Sequence, residues 1–376
     1  MPSVAILGSR GYPSYYGGFE TLVRMLAPYL ADQGWDVTVL GRPRSTRMDD
    51  PASDPRIHAV RTRGIESRSA STLSYGLTGA LWARSARPDV ALVLNVANGY
   101  FLPVLARAGI PTVVNVDGIE WERAKWGRAA RAVFRGGAAL TARYATTLVN
   151  DSEEIARYWA QRYGTTGAYI PYGGTDPGQL PVPEGLAAGG YILMVARFVP
   201  ENTVPEFLAA AEVLAGHAPV VIVGSSGYGG PLDERARDLA AAHRQIHWYG
   251  HIADDRLLHA LWQHAGVYFH GHSVGGTNPA LVQAMACGAP IVARDTVYNR
   301  EVLGDAGRFT EPDARAIAAS ITSLLVEPVE REKLAAAARA RASALFTWEA
   351  VCQQYNQVLH GAMAVIDAQP ATRGAR

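Results

Sequence analysis

Short apolar runs alternate with longer amphipathic segments along the first half of the chain. Four runs have the length and composition of buried parallel strands: SVAILG (3–8), DVTVLG (36–41), VALVLNV (90–96) and TVVNVDG (112–118). Between the first two, apolar residues at helical spacing predict a helix that ends near Gly34. Its apolar stripe contains Phe19, Leu22, Val23, Leu26 and Leu30. This strand–helix–strand order predicts a doubly wound parallel sheet.

The alternation stops in IPYGGTDPGQLPVPEGLAAGG (170–190), where frequent proline and glycine indicate a linker. It then resumes with five further strand-like runs, at 191–197, 219–225, 246–250, 267–271 and 290–294. Residues 312–366 have helical patterns only. The sequence therefore predicts an α/β protein with two tandem Rossmann-like, doubly wound parallel-sheet domains and a cleft between them.

The same pattern sets the predicted domain limits. We expect an N-terminal domain at 1–172, a linker at 173–190 and a C-terminal domain at 191–345. The helical segment at 346–366 is expected to return to the N-terminal domain, and residues 367–376 are expected to form a frayed tail. A chain of 376 residues exceeds what one hydrophobic core usually organises, so two domains also agree with its length.

Composition narrows the class of protein. With 48% hydrophobic residues, 18% charged residues and a net charge of +1, the chain lacks the basic excess typical of nucleic-acid binders. It has no signal-peptide pattern, no run of roughly 18 apolar residues and only two cysteines, so we expect a soluble cytoplasmic protein. Neither His270 nor His272 stands in a ligand spacing with cysteine or carboxylate, so no metal site is predicted.

The segment HSVGGTNPALVQAMACGAP (272–290) contains the clearest chemical signal. Asn278 is a favoured helix N-cap and Pro279 a favoured first helical residue, and Gly275 and Gly276 leave the preceding backbone uncovered. The first turn of a helix has unpaired N–H groups and a partial positive charge, so it attracts phosphate. The segment also follows a predicted strand, at the sheet edge where such folds bind ligands. An ordinary strand-to-helix turn is the alternative.

A second glycine-rich loop, GSRGYPSYYGGFE (8–20), joins the first predicted strand to the first helix. Its glycines lack the spacing of the dinucleotide-binding fingerprint, and the second strand ends in Arg42 instead of an acidic residue for ribose. Both observations disfavour a nicotinamide-dependent dehydrogenase. Gly17 and Gly18 would let the backbone approach a donor diphosphate or an acceptor hydroxyl. A flexible surface loop is the alternative.

Together these features resemble the retaining, GT-B-fold glycosyltransferases of family four. The resemblance rests on the two Rossmann-like halves, the loop at 8–20 and GGTNPALVQAMACGAPIVA (275–293). HGHSVGGTNP (270–279), RGYPSYYGGFE (10–20) and DGIEWERAKWG (117–127) more closely resemble its rhamnosyltransferase branch. That branch works in capsule and exopolysaccharide assembly with a deoxythymidine-diphosphate (dTDP) donor. The resemblance covers nearly the whole chain, including FTWEAVCQQYNQ (346–357).

The resemblance implies a site for the donor nucleotide. Arg197 would grip phosphate with its planar fork, and Asn202 takes the position of a family lysine. The residues implied to bind the donor diphosphate and nucleotide are Gly17, Gly18, Arg197, Asn202, Gly275, Gly276, Thr277, Asn278 and Gln283. Those implied to lie near the nucleobase are Gly224, Ser225 and His251.

Two glutamates that the family carries eight positions apart are replaced here by Gly275 and Gln283. A carboxylate would accept hydrogen bonds from both ribose hydroxyls, whereas the amide of Gln283 accepts through one oxygen only. Gly275 has no side chain with which to contact the transferred sugar. Fewer contacts to hydroxyl groups suit a deoxysugar.

The resemblance also implies acidic groups in the first half of the chain. Asp117 follows a predicted strand at a place where related enzymes often have a histidine, and Glu120 would be a second acid nearby. The residues implied to be catalytic are Asp117, Glu120 and Arg197. A turn-forming Asp-Gly pair with a solvated glutamate is the alternative.

Basic and aromatic residues interleave across residues 120–143. The basic members are Arg123, Lys125, Arg128, Arg131, Arg135 and Arg143. The aromatic members are Trp121, Trp126 and Phe134. This pattern suits peripheral docking on anionic lipid at the inner face of the cell membrane. A solvated basic helix is the alternative.

We therefore expect a metal-independent, retaining glycosyltransferase that needs no cofactor. Its co-substrate would be a dTDP- or UDP-linked sugar, with L-rhamnose or another 6-deoxyhexose preferred. Its acceptor would be a hydroxyl of a saccharide, a lipid-linked glycan or a small molecule, and no nucleic acid is expected as a partner. The alternatives are a family-four transferase that uses a UDP- or GDP-hexose on a natural product, a nucleotide-sugar 2-epimerase, and a catalytically weak sugar-nucleotide-binding protein.

Overall fold

A computed structural model describes residues 1–15, 17–46, 50–67, 71–123, 126–227 and 229–367 of the chain. Within these ranges the chain forms two compact units. The first unit comprises residues 1–122, 126–171 and 349–367, and the second comprises Arg123 and residues 172–348. Each unit is built on one parallel sheet.

The sheet of the first unit has seven strands in the order β3-β2-β1-β4-β5-β6-β7, and every neighbouring pair is parallel. Its strands are β1 (Ser3–Leu7), β2 (Asp36–Gly41), β3 (His58–Arg61), β4 (Val90–Leu94), β5 (Thr112–Asn115), β6 (Thr147–Asn150) and β7 (Gly167–Tyr169). All five residues of the central strand β4 are buried. Burial on both faces explains why this strand is a continuous apolar run in the sequence.

Helices connect these parallel strands, except between β2 and β3, where the described residues include turns but no helix. They are α1 (Gly18–Asp32), α2 (Ser71–Ala86), α3 (Leu102–Arg107), α4 (Arg128–Tyr144) and α5 (Glu153–Tyr163), with short 3₁₀ turns at Val96–Phe101 and Glu120–Glu122. Helix α5 shows both expected end signals, because the hydroxyl of Ser152 accepts from the N–H of Glu154 and Gly164 ends the helix in the left-handed conformation.

The sheet of the second unit has six parallel strands in the order β10-β9-β8-β11-β12-β13. They are β8 (Ile192–Val195), β9 (Val220–Val223), β10 (Ile246–Gly250), β11 (Val267–His270), β12 (Ile291–Arg294) and β13 (Arg308–Thr310). Side chains of β8 alternate between two cores, since Leu193 joins one cluster and Ile192 and Met194 join the other. The sheet is therefore covered on both faces.

The helices of the second unit are α6 (Val204–Leu214), α7 (Pro231–Ala242), α8 (Asp255–Gln263), α9 (Pro279–Ala286), α10 (Val297–Leu303), α11 (Ala314–Leu325) and α12 (Pro328–Leu345). Four of them begin at an oxygen-bearing cap, because the side chains of Asp254, Asn278, Thr296 and Asp313 accept from backbone N–H groups of the following turn.

The predicted fold class is confirmed: the chain has two doubly wound parallel sheets, and each of the nine predicted strand segments contains a strand. The sequence patterns missed β3, β6, β7 and β13. Of these, β3 and β7 lie at sheet edges and are three or four residues long with exposed positions, so they lack the continuous apolar run of a central strand.

The linker segment predicted at 173–190 packs onto the second unit through side-chain amides and ring nitrogens. The Gln263 amide accepts from the N–H of Leu180 at 2.8 Å and donates to the carbonyl of Gly178 at 2.6 Å. Nε2 of His264 lies 2.8 Å from the carbonyl oxygen of Leu180. The segment is thus held by specific hydrogen bonds despite its high glycine and proline content.

The last helix, α13 (Trp348–Asp367), contributes buried polar contacts to the first unit. Nδ2 of Asn115, at the end of β5, donates to the hydroxyl of Tyr355 at 2.6 Å, and both side chains are buried. Nε1 of Trp35 donates to Oδ1 of Asn356 at 2.7 Å. These bonds fix the helix in one rotational setting, since apolar packing alone is not directional.

We expect Tyr355→Phe to lower the free energy of unfolding by about 1–3 kcal/mol, because it leaves the buried amide of Asn115 without its acceptor. Urea-induced unfolding measures the change. The matched control is Tyr249→Phe, which removes the hydroxyl of a 40% exposed tyrosine and should change the free energy little. Equal effects of the two substitutions would contradict a structural role for the Asn115–Tyr355 bond.

Candidate functional site

The strand orders define where each sheet can bind a ligand. In the first unit the order reverses between β1 and β4, and in the second it reverses between β8 and β11. Open parallel sheets bind ligands at the carboxyl ends of the strands beside such a reversal. In the second unit, this position brings together the loop that begins at Arg197, after β8, and the loop that ends at Asn278, after β11.

Helix α9 begins where the sequence predicted it. Oδ1 of Asn278 accepts from the N–H of Ala280 at 2.9 Å, and Pro279 occupies the first helical position. Gly275 has φ +95°, a backbone conformation that side chains disfavour, and Gly275, Gly276 and Thr277 are buried. Glycines before this N-terminus leave the backbone without covering side chains, and the helix has its positive end there. Both features suit a phosphate group.

The loop after β8 is fixed by Asn202, which lies in a 3₁₀ turn at Pro200–Asn202. Its Nδ2 donates to the carbonyl of Arg197 at 2.9 Å, and its Oδ1 is hydrogen-bonded to Nδ1 of His272. Asn202 is buried, whereas Arg197 is exposed. Both ends of the amide are thus engaged inside the protein, and a contact from Asn202 to a diphosphate would require one of these bonds to open.

His272 lies among cationic groups. Burial first, and then the neighbouring His270, Arg123 and Arg197, hold its pKa well below the usual range. The ring is therefore neutral near pH 7, and the site's positive charge belongs to the two guanidinium groups. His270 is also buried, and burial lowers its pKa to about 3.

Arg123 is a site residue that sequence reasoning assigned elsewhere. Its side chain is 7% exposed, and Nη2 lies 3.6 Å from the point where a Cβ on Gly275 would stand. The sequence pattern predicts Arg123 on an exposed basic docking surface, and this prediction is wrong because the residue is buried. No spacing or motif indicated a partner so distant in the chain, so only the fold reveals this arrangement.

The amide of Gln283 is occupied by the backbone of the linker. Its Oε1 accepts from the N–H of Thr175 at 3.0 Å, and its Nε2 donates to the carbonyl of Thr175 at 2.7 Å. This reciprocal pair needs one donor and one acceptor on the same side chain, which an amide has and an ionised carboxylate lacks. A role for Gln283 toward ribose, as the resemblance implies, would require this pair to open.

The three residues predicted near the nucleobase differ in their surroundings. Gly224 follows β9 with φ +125°, and a Cβ there would lie 1.8 Å from the carbonyl oxygen of Ala196. The carbonyl of Ser225 accepts from the N–H of Phe198 at 3.1 Å, which joins this loop to the loop after β8. His251 is exposed beyond the end of β10. Gly224 and Ser225 thus border the Arg197 loop.

In the first unit, Gly17 is the N-cap residue of α1 and Gly18 its first residue. A Cβ on Gly17 would lie 3.3 Å from Oε2 of Glu20, and Oε1 of Glu20 accepts from the N–H of Arg10 at 2.9 Å. Glu20 therefore ties the glycine loop to the start of the helix and leaves little space for a side chain at position 17.

Asp117 and Glu120 follow β5 in the first unit. Asp117 has φ +59°, a strained conformation for a residue other than glycine, and its Oδ2 accepts from Nδ2 of Asn95 at 3.3 Å. Glu120 is buried, and its Oε2 accepts from Nε1 of Trp126 at 3.0 Å. Neither residue is a freely solvated turn residue, since both make specific contacts.

The basic segment at 120–143 is only partly exposed. Trp121 is buried, and the ring of Trp126 packs against Phe134 with centroids 5.2 Å apart. The exposed basic residues of α4 are Arg128, Arg135 and Arg143, and Lys125 lies outside the described residues. An exposed basic face exists on this helix, but the interleaved aromatic pattern is largely explained by packing.

The residues in the described ranges neither group into a metal site nor form a membrane-spanning helix. No three or more histidine, cysteine, aspartate or glutamate side chains there are grouped so as to hold a metal ion. No helix in the same ranges combines the length and the apolar character needed to span a bilayer.

Two family models match the chain. The model described as "Glycosyl transferases group 1" matches residues 187–341, and the model described as "Glycosyl transferase 4-like domain" matches residues 17–173. The glycosyl transferase 4-like model thus covers most strands of the first sheet, and the group 1 model covers all strands of the second sheet. Together the two models match most of the chain, which is therefore a glycosyltransferase with a group 1 domain and a glycosyl transferase 4-like domain.

Two curated relatives share part of the sequence. The chain is 27% identical over 169 residues to O-antigen chain mannosyltransferase B of Escherichia coli, which covers 44% of each protein. It is 32% identical over 222 residues to a phosphatidyl-myo-inositol mannosyltransferase of Mycolicibacterium smegmatis, which covers 54% of this chain and 55% of the relative. The matched part thus spans about half the length of these relatives.

Solved structures match over almost the entire chain. Sucrose-phosphate synthase from Thermosynechococcus elongatus has a TM-score of 0.80 at 19% identity, covering 97% of this chain and all of the other. Anabaena HepE, crystallised with UDP and glucose, has a TM-score of 0.74 at 18% identity, covering 96% of this chain and 99% of the other. At such identities the likeness concerns the fold, which is GT-B.

We expect Gln283→Glu to lower the melting temperature by about 2–4 °C, the equivalent of about 1 kcal/mol, because a carboxylate cannot donate to the carbonyl of Thr175. Differential scanning calorimetry measures the shift. Gln353→Glu, which makes the same change at an exposed position of α13, is the matched control and should leave the temperature within 1 °C, or about 0.3 kcal/mol. An unchanged melting temperature for Gln283→Glu would show that the pair with Thr175 has no structural importance.

Proposed function

We propose that this protein is a metal-independent, retaining glycosyltransferase that moves L-rhamnose or another 6-deoxyhexose from a dTDP-sugar to a hydroxyl of a saccharide or glycolipid. The observation that carries the proposal is that the loop of Arg197 and the glycine-rich loop before α9 follow neighbouring strands, β8 and β11, at the reversal of the second sheet, where the hydrogen bond between Asn202 and His272 joins them. A guanidinium group and a helix N-terminus are complementary to a diphosphate. Membership of the glycosyltransferase family supports the same substrate class.

In the proposed reaction, the donor diphosphate binds across Gly276, Thr277 and Asn278, with Arg197 on its other side. As the bond between the sugar and the phosphate lengthens, negative charge develops on the departing diphosphate. Fixed N–H groups and a guanidinium group that already point at this charge stabilise the transition state more than the ground state. The positive charge near His272, from Arg123 and Arg197, supports this placement of the leaving group.

The acceptor hydroxyl then attacks the sugar carbon from the side of the leaving group. The bond from the acceptor oxygen to carbon forms, the bond from carbon to the phosphate oxygen breaks, and the departing diphosphate takes the hydroxyl proton. Such a step requires no nucleophilic side chain. Asp117 is the residue of the first unit proposed to orient a substrate hydroxyl, and its strained backbone supports a functional role because strain of this kind clusters at active sites.

The identity of the donor sugar is a separate part of the proposal, and a competing sugar has support of its own. Two relatives are mannosyltransferases by name, and one structural neighbour was crystallised with UDP and glucose. A hexose donor linked to UDP or GDP is therefore the competing proposal. The bare position at Gly275 favours a sugar with fewer hydroxyl groups, because no side chain from that position can contact one.

Exposed arginines on α4 support a further part of the proposal, namely a peripheral contact with anionic lipid. Such a contact would bring the protein to the surface where a lipid-linked acceptor resides. It adds an electrostatic attraction that salt would screen.

Nucleotide binding is the first test of the donor proposal. We expect dTDP and dTDP-L-rhamnose to raise the melting temperature, since a ligand that binds only the native state stabilises it by about 2.7 kcal/mol at one hundred times its Kd. UDP, GDP, UDP-glucose and GDP-mannose are measured alongside. A shift with UDP- or GDP-sugars alone would show that the donor is a UDP- or GDP-linked hexose instead of a dTDP-sugar. The absence of a shift with every nucleotide would contradict the proposed function.

Turnover tests the role of Arg197. Release of nucleoside diphosphate from the donor that binds is followed with a panel of glycan and glycolipid acceptors, and the sugar products are identified. We expect Arg197→Ala to lower kcat by about 10²-fold or more, because it removes a donor to the developing phosphate charge.

The matched control for Arg197→Ala is Arg256→Ala, which removes an exposed arginine from α8 in the same unit and should retain full activity. Near-normal kcat in Arg197→Ala would show that the donor diphosphate binds elsewhere. A new sugar nucleotide formed without acceptor would instead identify an epimerase.

A further inference from the structure

We propose that the Nε2 atom of His272 accepts a hydrogen bond from a hydroxyl group of the donor sugar and so determines which sugars the site takes. This inference rests on the proposed function, because it assumes that a sugar diphosphate binds at the start of α9. It assigns to His272 a role in sugar recognition, distinct from the phosphate contacts of Arg197.

The hydrogen bonds of Asn202 determine which nitrogen of His272 carries the proton. The side chain of Asn202 contacts the carbonyl oxygen of Arg197 at 2.9 Å, and only its NH₂ group can donate there. Its amide oxygen must therefore face His272, where it can only accept a hydrogen bond. Nδ1 of His272 is consequently the nitrogen that bears hydrogen.

Burial and the neighbouring positive charge keep the ring of His272 neutral. Burial, His270 and the guanidinium groups of Arg123 and Arg197 all oppose a positive charge on the His272 ring and lower its pKa. Hydrogen bonding with the backbone of Val274 acts in the opposite direction and is the smallest of these effects. A neutral imidazole with hydrogen on Nδ1 has a lone pair on Nε2, which makes that atom a hydrogen-bond acceptor.

The Nε2 atom lies beside the space that a side chain at position 275 would begin to fill. Nε2 of His272 lies 3.8 Å, and Nη2 of Arg123 3.6 Å, from the point where a Cβ on Gly275 would stand. Gly275 has φ +95°, so its backbone disfavours any side chain. We call this space the opening at Gly275. It is bordered by one neutral acceptor, His272, and one cationic donor, Arg123.

This opening directly precedes the proposed phosphate site at Gly276–Asn278, and a sugar on the second phosphate would lie in it. A hydroxyl group that enters the opening meets an acceptor in His272 and a donor in Arg123. A neutral imidazole accepts one hydrogen bond, whereas a carboxylate has room for several. The site should therefore discriminate at one hydroxyl position of the sugar and tolerate loss of the others.

Two substitutions distinguish the role of Nδ1 of His272 from that of Nε2. His272→Asn retains a group near the position of Nδ1 that can pair with Asn202, but it has nothing at the position of Nε2. His272→Gln places an amide near the position of Nε2 and restores an acceptor there. Melting temperatures of the free variants show whether each is folded.

Binding of nucleotides with and without the sugar is the test. Isothermal titration calorimetry compares dTDP with dTDP-L-rhamnose and UDP with UDP-glucose, for the wild type and both variants. We expect His272→Asn to weaken binding of the sugar nucleotide by about three- to tenfold, the effect of one neutral hydrogen bond, and to change binding of the bare nucleoside diphosphate by less than twofold. His272→Gln should recover part of the loss.

Monodeoxy analogues of the sugar that binds then identify the hydroxyl group. One analogue should bind the wild type three- to tenfold more weakly than the parent, yet bind His272→Asn as well as the parent does. Equal weakening of dTDP and dTDP-L-rhamnose in His272→Asn would overturn the proposal, and so would unchanged binding of both. If the wild type binds no nucleoside diphosphate at all, the proposed function itself fails, which is a distinct result.

Discussion

Close backbone contacts fix the carboxyl edge of the second sheet, and the rest of the site depends on them. A Cβ on Gly224 would lie 1.8 Å from the carbonyl oxygen of Ala196, and one on Gly271 would lie 2.4 Å from that of Asn202. Thr203, with φ +57°, donates from its hydroxyl to the carbonyl of Gly271 at 2.6 Å. Because main-chain atoms set these distances, the loops after β8, β9 and β11 have little freedom to move relative to one another.

Side-chain amides in this region serve the protein's own structure. Asn202 joins the β8 loop to His272, Gln283 joins α9 to Thr175, and Asn299 donates to the carbonyls of His272 and Arg294 at 2.9 and 2.8 Å. Backbone N–H groups and guanidinium groups at this edge are complementary to an anion. Both kinds are fixed in charge near neutral pH, so they favour a phosphate without any change of protonation.

The sequence was most informative where local chemistry alone determines the outcome. The start of α9 followed from the cap at Asn278 and the proline after it, and β4 and β8 followed from apolar runs that are buried on two faces. The partners of Asn202 and Gln283 could not be predicted, because they depend on which loops meet in the folded chain. Arg123 shows the same limit, since a basic residue in a basic segment has no sequence feature that indicates burial.

The two departures from the family pattern have different physical causes. At position 283 the amide makes a reciprocal pair with Thr175 that an ionised carboxylate cannot make, so local structure accounts for glutamine without reference to any ligand. At position 275 the backbone has φ +95°, and restoring a carboxylate there would strain the loop before α9. The conformation of this loop and the absence of a side chain therefore belong together. The space beside Gly275 is set by its own backbone and by the residues that border it, His272 and Arg123.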